Sequence, residues 1–403
     1  MATLNNRQSG LKISSEKIIC IFTAIYFFIS FFEGYLNQVI GSLVKFFIFA
    51  LALLYIWKYK GKITLNFISV SYIVWFAYKL LTLLWTRSYY MFDLHIFAHI
   101  GIVLIVTCIV SKPLSNKTIH YLTGALWLGS FSIGLLSLFF HTAYLGTFTA
   151  RQVLVLFGVS EDPNNQASFL LFGIAIALYY IVLEKRYIAF GLITIFVNIA
   201  SLMMTSSRGG FITVVLMALI IIFMTDKKST KIWAVIVVIM ASVLIYKYAG
   251  NFVSVDSWDR LMVMEGYEGG SGRIDRWENT IRLLNENPLY YLFGAGWGAN
   301  WGYNGFETGI HNTYLSHLCD TGIIGLIIFH YPIIKCAIYF WRRQQYLPII
   351  VLLCGLLPSV FLDSINKRYF WNSLLYLFIC YMNKKAEDET TVRSWTVNPE
   401  YFQ

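Results

Sequence analysis

Residues 165–183 read NQASFLLFGIAIALYYIVL, nineteen positions without a charged side chain, followed at once by Glu184-Lys185-Arg186. A helix rises 1.5 Å per residue, so such a run crosses roughly the 30 Å of hydrocarbon in a bilayer. Working outward, runs of the same kind recur at 18–33, 36–57, 66–85, 94–111, 118–140, 188–205, 210–225, 232–249, 313–340, 346–362 and 369–382, the last being the shortest. The 403-residue chain is 58% hydrophobic and 13% charged, whereas a soluble domain carries about a quarter charged residues. The pattern predicts an all-α polytopic membrane protein: one transmembrane domain over 1–403 with about a dozen spanning helices. The aromatic share of 18% suits many membrane interfaces, where Trp and Tyr settle.

The net charge of +10 does not point to nucleic acid, because the basic residues are dispersed through the gaps between apolar runs and form no single patch. Those gaps fix an orientation. With Arg7, Lys12 and Lys17 inside, alternate gaps carry Lys58, Lys60 and Lys62; Lys112 and Lys117; Lys185 and Arg186; Lys227, Lys228 and Lys231; Arg342 and Arg343; Lys384 and Lys385. The opposite gaps hold few cations apart from two longer loops and Lys367-Arg368. The positive-inside rule then puts both termini in the cytoplasm. No cleavable signal pattern is expected at the N-terminus. The six cysteines lie in or beside apolar runs without metal-ligand spacing, and read as small hydrophobes.

Two outside loops exceed turn length, 141–164 and 250–312. A connection as long as the second is usually functional. Within it, 271–285 reads as an amphipathic helix capped by Ser271, with Ile274, Trp277, Ile281 and Leu284 on one stripe. Pro288 ends it, and a Gly-rich stretch with Trp297, Trp301 and Tyr303 follows.

Candidate chemistry collects on this outside face. Arg151 lies in the first loop, ahead of Glu161-Asp162-Pro163-Asn164-Asn165; Arg208 sits in the short turn Thr205-Ser206-Ser207-Arg208-Gly209-Gly210; Arg273 and Arg276 are one turn apart; His311 and Asn312 stand where the long loop re-enters the membrane. Arginine suits phosphate, since its planar fork makes paired, charge-assisted hydrogen bonds and keeps its charge. Arg208 breaks the inside-positive pattern beside glycines that leave N–H groups accessible at a helix start, which is anion-site chemistry. The other reading is an anchor to lipid headgroups. Arg273 can equally be a solvated helix residue. His311 can act as a general base near neutral pH or serve as a hydrogen-bonded interface residue. His317, deeper, packs or assists. His95 and His99 share a helix face behind Asp93 but lack a further ligand nearby, so they read as structural. Lys45 and Lys79 fall inside spans, where charge is costly. Lys79 can snorkel outward and Lys335 inward.

There is no Gly-x-Ser-x-Gly, P-loop, HExxH or outside Asp-x-Asp pair, and no cytoplasmic loop large enough for a nucleotide. What is present resembles the bacterial O-antigen polymerase and O-antigen ligase superfamily. The resemblance is carried by Asp162-Pro163-Asn164, Ser207-Arg208-Gly209-Gly210, Gly272-Arg273 with Trp277, Asn287-Pro288 with Phe293-Gly294-Ala295-Gly296, and His311-Asn312-Thr313-Tyr314-Leu315 with Gly322-Ile323-Ile324-Gly325. It implies a GT-C-like, metal-independent, cofactor-free glycosyltransferase of the bacterial inner membrane, working at the extracytoplasmic face. Donor and acceptor would be glycans on polyprenyl pyrophosphate. The resemblance further implies His311 as general base, Arg208, Arg273 and, less directly, Arg151 as pyrophosphate ligands, and Asn312, Asn164, Trp277 and Arg276 as substrate contacts.

That reading matches the residue chemistry: a lipid pyrophosphate is already activated, so displacement needs cations at the leaving oxygen and a base at the acceptor. A polymerase of lipid-linked repeat units, with a chain-length regulator as partner, is favoured over a ligase acting on lipid A core. A flippase would want charges lining a path through the membrane and two related halves, and a receptor or scaffold has no use for the Arg and His set.

Overall fold

The computed structural model describes residues 15–40, 43–144, 151–225, 228, 231–232 and 269–397. In chain order these form α1 (Ser15–Ile29), α2 (Glu33–Ile40), α3 (Leu43–Lys58), α4 (Phe67–Leu81), α5 (Tyr90–Ile109), α6 (Asn116–Phe139), β1 (His141–Tyr144), β2 (Arg151–Leu156), β3 (Val159–Ser160), α7 (Pro163–Tyr179), α8 (Ile188–Thr205), α9 (Arg208–Phe223), α10 (Gly269–Asn285), α11 (Leu289–Phe293), α12 (Thr313–Arg342), α13 (Leu347–Leu356) and α14 (Arg368–Val397). Seven described helices are long and apolar enough to cross a membrane, and Phe46–Lys58, Arg208–Phe223 and Leu347–Val360 are shorter apolar helices. The protein is an all-α polytopic membrane protein. The apolar run 232–249, beyond its first residue, and loop residues 250–268 lie outside the described residues, as does the side chain of Lys45.

Helix α7 is the hub. Its buried residues run almost without a break from Pro163 to Ala177, as expected of a helix that is apolar all round. Phe196, Leu192 and Ile193 of α8 and Phe97 of α5 are instead exposed, an apolar outer surface that suits lipid. The run 369–382 is part of a much longer helix. Residues Tyr369 to Tyr381 of α14 are largely buried, and the helix continues through a charged stretch supported by Lys384–Glu387 (2.8 Å) and Lys385–Glu389 (3.6 Å) pairs at helical spacing.

Several local expectations are corrected. The run 36–57 is divided between α2 and α3, and 346–362 ends its α-helix at Leu356, before a 3-10 turn at Pro358–Val360. The first long loop carries a three-stranded antiparallel sheet in the order β1-β2-β3. Helix α10 begins at Gly269, two residues ahead of the expected start at Ser271. Its buried residues include Asn279, Thr280, Leu283 and Leu284, while Ile274 and Ile281 are exposed. Lys79 does not snorkel: it is 1% exposed and pairs with Asp320 of α12 at 3.1 Å.

Two features set the geometry of the end that carries the loops. Helix α12 is broken at Gly322 (φ 64°, ψ −171°), and the carbonyl of Cys319 just before the break accepts the Ala295 N–H at 2.7 Å. The backbones touch there: a Cβ on Gly322 would lie 2.3 Å from the Leu292 carbonyl oxygen, and one on Gly294 2.5 Å from that of Asp320. Such a break within a span is sustained only where protein covers the backbone. Arg368 at the start of α14 grips Glu33 of α2 with both arms of its guanidinium, at 2.5 and 2.8 Å, so the first and last parts of the bundle are ion-paired.

Candidate active site

Three helices begin at one place, and each starts with a side-chain cap. Asp162 accepts from the N–H groups of Asn164 (2.8 Å) and Asn165 (3.2 Å), with Pro163 as the first residue of α7. Ser207 accepts from Gly210 N–H at the head of α9. Asn312 accepts from Tyr314 and Leu315 N–H, each at 3.0 Å, at the head of α12. These caps are why helices start here. Their convergence aims the positive ends of three helix dipoles at one region.

The starts are bonded to one another. Ser207 Oγ donates to Asn164 Oδ1 at 3.0 Å. Arg151 Nη2 donates to the same oxygen at 3.0 Å, and its Nε donates to the Thr205 carbonyl at 2.7 Å. Arg151 is 2% exposed. Its guanidinium therefore ties β2 to the α8–α9 turn and to α7, with at least two of its donors turned inward. On α12, Thr313 Oγ1 donates to the Leu362 carbonyl at 2.7 Å and accepts the Ser364 N–H at 2.7 Å, which fastens the 361–367 loop beside them.

Between these elements lies a pocket with about 210 Å³ of empty space, part of it open to solvent, lined by Asn164, Ser168, Ser207, Gly209, Gly210, Arg273, Pro358, Phe361 and Leu362. Arg273 thus reaches over from the long loop to the first turn of α9, where Gly209 and Gly210 present backbone. Arg208, half-buried, is the first residue of that helix. Cation, backbone N–H and hydroxyl together make a site suited to an anion.

His311 has a left-handed backbone (φ 55°), uncommon for a residue with a Cβ. The preceding carbonyl, of Ile310, accepts the Trp277 indole N–H at 3.0 Å, so Trp277 props this turn with its polar edge. Burial lowers the His311 pKa to about 4, helped by the charges of Arg276 and Arg273 and opposed by Asp162, with Lys367 adding to the lowering. The imidazole is neutral at pH 7, with a lone pair available for a proton. Asn312 spends its side-chain oxygen on the helix cap, and Asn164 its own on Arg151 and Ser207.

Sequence reasoning missed Phe361 and Leu362, whose apolar character carries no site signal, and Lys367, noticed only as an outside cation. Its neighbour Arg368 is matched by Glu33, and Lys367 acts on both His311 and Asp363. Asp363 Oδ2 accepts from Ser316 Oγ at 3.3 Å. Burial and the nearby Asp320 push its pKa up to about 6.

A second polar cluster lies deeper. Asp320 takes Lys79 on one oxygen and the Gly298 N–H at 2.9 Å on the other. The Lys79 ammonium is 4.6 Å from the Trp297 ring and 3.5 Å from His99 Nε2. His99 Nδ1 lies 2.9 Å from the His95 carbonyl. A metal at His99 would meet the Lys79 charge, and among the described residues no group of three or more His, Cys, Asp and Glu side chains is placed to hold one. His317 is buried against Trp75 and Phe329.

Fold and site together define a membrane-embedded helical protein with a pocket at the heads of α7 and α9 that Arg273 lines, and with His311 on the turn that leads into α12. Residues 190–330, from α8 into α12, match the family model described as O-antigen ligase. The match covers about a third of the chain and supports a relationship to the O-antigen ligase and polymerase superfamily of surface-polysaccharide biosynthesis. A comparison with curated proteins finds no match.

Proposed function

We propose that the chain is a polymerase that joins lipid-linked oligosaccharide repeat units into a surface polysaccharide by inverting glycosyl transfer. The donor is a glycan on polyprenyl pyrophosphate, and the site faces the extracytoplasmic side of the bacterial inner membrane. The observation that carries this reading is the convergence of Arg273, Ser207, Asn164 and the head of α9 on one pocket, with Arg273 and Arg276 close enough to His311 to depress its pKa.

In the reaction, His311 takes the proton of the acceptor hydroxyl as its oxygen bonds to the anomeric carbon. The bond from that carbon to the pyrophosphate oxygen breaks with its electron pair, and the anion leaves with the lipid. Arg208, Arg273 and the first-turn N–H groups of α9 stabilise the charge growing there. Arg151 acts as a positioning residue that holds Asn164 and the Thr205–Ser207 turn. Asn312 positions His311 through the α12 cap.

A ligase passing finished glycan to lipid A core is the second reading, favoured by the description of the matching family. Purified protein given polyprenyl-pyrophosphate-linked repeat units as the only sugar source separates them. A ladder from wild type and none from His311→Ala supports the polymerase. Transfer only when lipid A core is added supports the ligase, and no transfer to either acceptor sinks both.

A further inference from the structure

Beyond the pocket, α10 leads to a second constellation on the loop surface. Asn279, one turn after Arg276, donates from Nδ2 to the Tyr303 carbonyl at 3.1 Å, and its Oδ1 accepts from Asn304 Nδ2 at 3.0 Å. Tyr303 is hydrogen-bonded to Glu286, Glu286 is ion-paired with Arg87, and the Arg87 guanidinium lies 5.9 Å from the Tyr303 ring centre. Beside them Tyr90 and Trp301 stack at 4.3 Å with their planes 13° apart. Tyr90 is 48% exposed. Gly302 and Gly305, both at positive φ, have open space where a Cβ would be, so this side of the turn is unobstructed.

This is saccharide-binding chemistry. A pyranose offers an apolar C–H face to an aromatic plane and a rim of hydroxyls to fixed donors and acceptors. Here a rigid two-ring stack supplies the plane. A guanidinium, a carboxylate and the Asn304 amide, each held by another protein group, supply the rim, with the buried Asn279 fixing Asn304 from beneath, so little side-chain freedom is lost on binding. An aromatic that only marks the membrane interface needs no such set of mutually fixed polar neighbours.

We propose that Tyr90, Trp301 and Tyr303, with Arg87, Glu286 and Asn304, form a glycan subsite that holds sugar residues remote from the bond being made. The proposal rests on the glycosyl-transfer reading for the identity of the glycan. For stacked rings a change of about tenfold in affinity per ring is expected.

The test uses full-length protein in detergent and the host's own repeat-unit oligosaccharide, freed of lipid by mild acid. Binding is followed by calorimetry for wild type, Trp301→Ala, Trp301→Phe, Tyr90→Ala and His311→Ala. Weakening by about tenfold in Trp301→Ala and Tyr90→Ala, with affinity kept in Trp301→Phe and His311→Ala, supports the subsite. Absent binding by wild type overturns it. So does unchanged binding in Trp301→Ala with stability lost only in lipid nanodiscs, which assigns the ring pair to headgroup anchoring. Binding that needs Trp301 in a protein that transfers no sugar would sink the glycosyl-transfer reading and leave the subsite standing.

Discussion

Replacing Lys79 with Met removes one charge from the deepest ion pair among the described residues. Lys79 is 1% exposed, its partner side chain 12%, and the two are 3.1 Å apart. At an effective dielectric near 20, such a pair is worth on the order of 5 kcal/mol of Coulomb energy. Methionine fills most of the lysine stem's volume, so the packing loss is small. Asp320 keeps only the Gly298 N–H, and a carboxylate left without its cation costs roughly 3–5 kcal/mol. Lys79→Met/Asp320→Asn removes both charges while the amide oxygen still receives Gly298, so the double variant should fall within about 2 kcal/mol of wild type. Reversible unfolding of Lys79→Met, Asp320→Asn and the double variant in mixed micelles gives the coupling energy. Protease sensitivity of the 293–301 loop should follow it, because Trp297 and Gly298 are docked on this pair. A Lys79→Met protein within about 1 kcal/mol of wild type, or a double variant no better than the worse single one, would refute the reasoning.

Three further outcomes follow from the site. With His311 at about 4 in the free protein, the acid limb of kcat/KM should fall near pH 4, while that of kcat moves upward, because a bound pyrophosphate offsets the Arg276 and Arg273 charges; coincident limbs in a pH–rate study would contradict this. Asp363, at about 6 in the fold against about 3.9 unfolded, favours folding in its protonated form, and that contribution is lost as pH rises through 6. Asp363→Asn should therefore stabilise the protein by about 1–3 kcal/mol at pH 7.5 and confer no such gain near pH 4, read from unfolding midpoints across that range. Arg151→Met should cost about 2–4 kcal/mol and turnover with it, by stranding the Thr205 carbonyl and loosening Asn164. Arg151→Lys should rescue only in part, since one ammonium cannot span both acceptors; full rescue would mean that charge alone matters.

The membrane helices were legible because spanning requires long apolar runs, and Arg208 stood out as a candidate because it violates an otherwise regular charge alternation. Other features were hidden for physical reasons. The β1-β2-β3 sheet is too short to show a clear period, and its role depends on Arg151 reaching Thr205, 54 positions away. The continuation of α14 past 382 was not anticipated, because Lys384 to Glu389 extends no apolar run, although charges at helical spacing support one another. Asn312 and Asn164 were legible as important residues but not as caps and struts, because hydrogen-bond partners are fixed only by the assembled backbone. The Lys79–Asp320 pair joins residues 241 positions apart (320 − 79), and nothing local to either announces the other.

The Glu33–Arg368 pair has a consequence for the order in which the protein is made. Glu33 emerges with the first apolar segment, and its counter-ion is 335 positions later, after every other described span has been synthesised. Until the last helix is threaded, the nascent bundle carries a carboxylate whose partner does not yet exist, and the pocket lacks its Phe361 and Leu362 wall. A ribosome stalled or a chain truncated before 368 leaves an intermediate with an unmatched charge, a candidate for membrane quality control. Closing that bidentate grip is among the last acts of biogenesis, and it coincides with completion of the pocket.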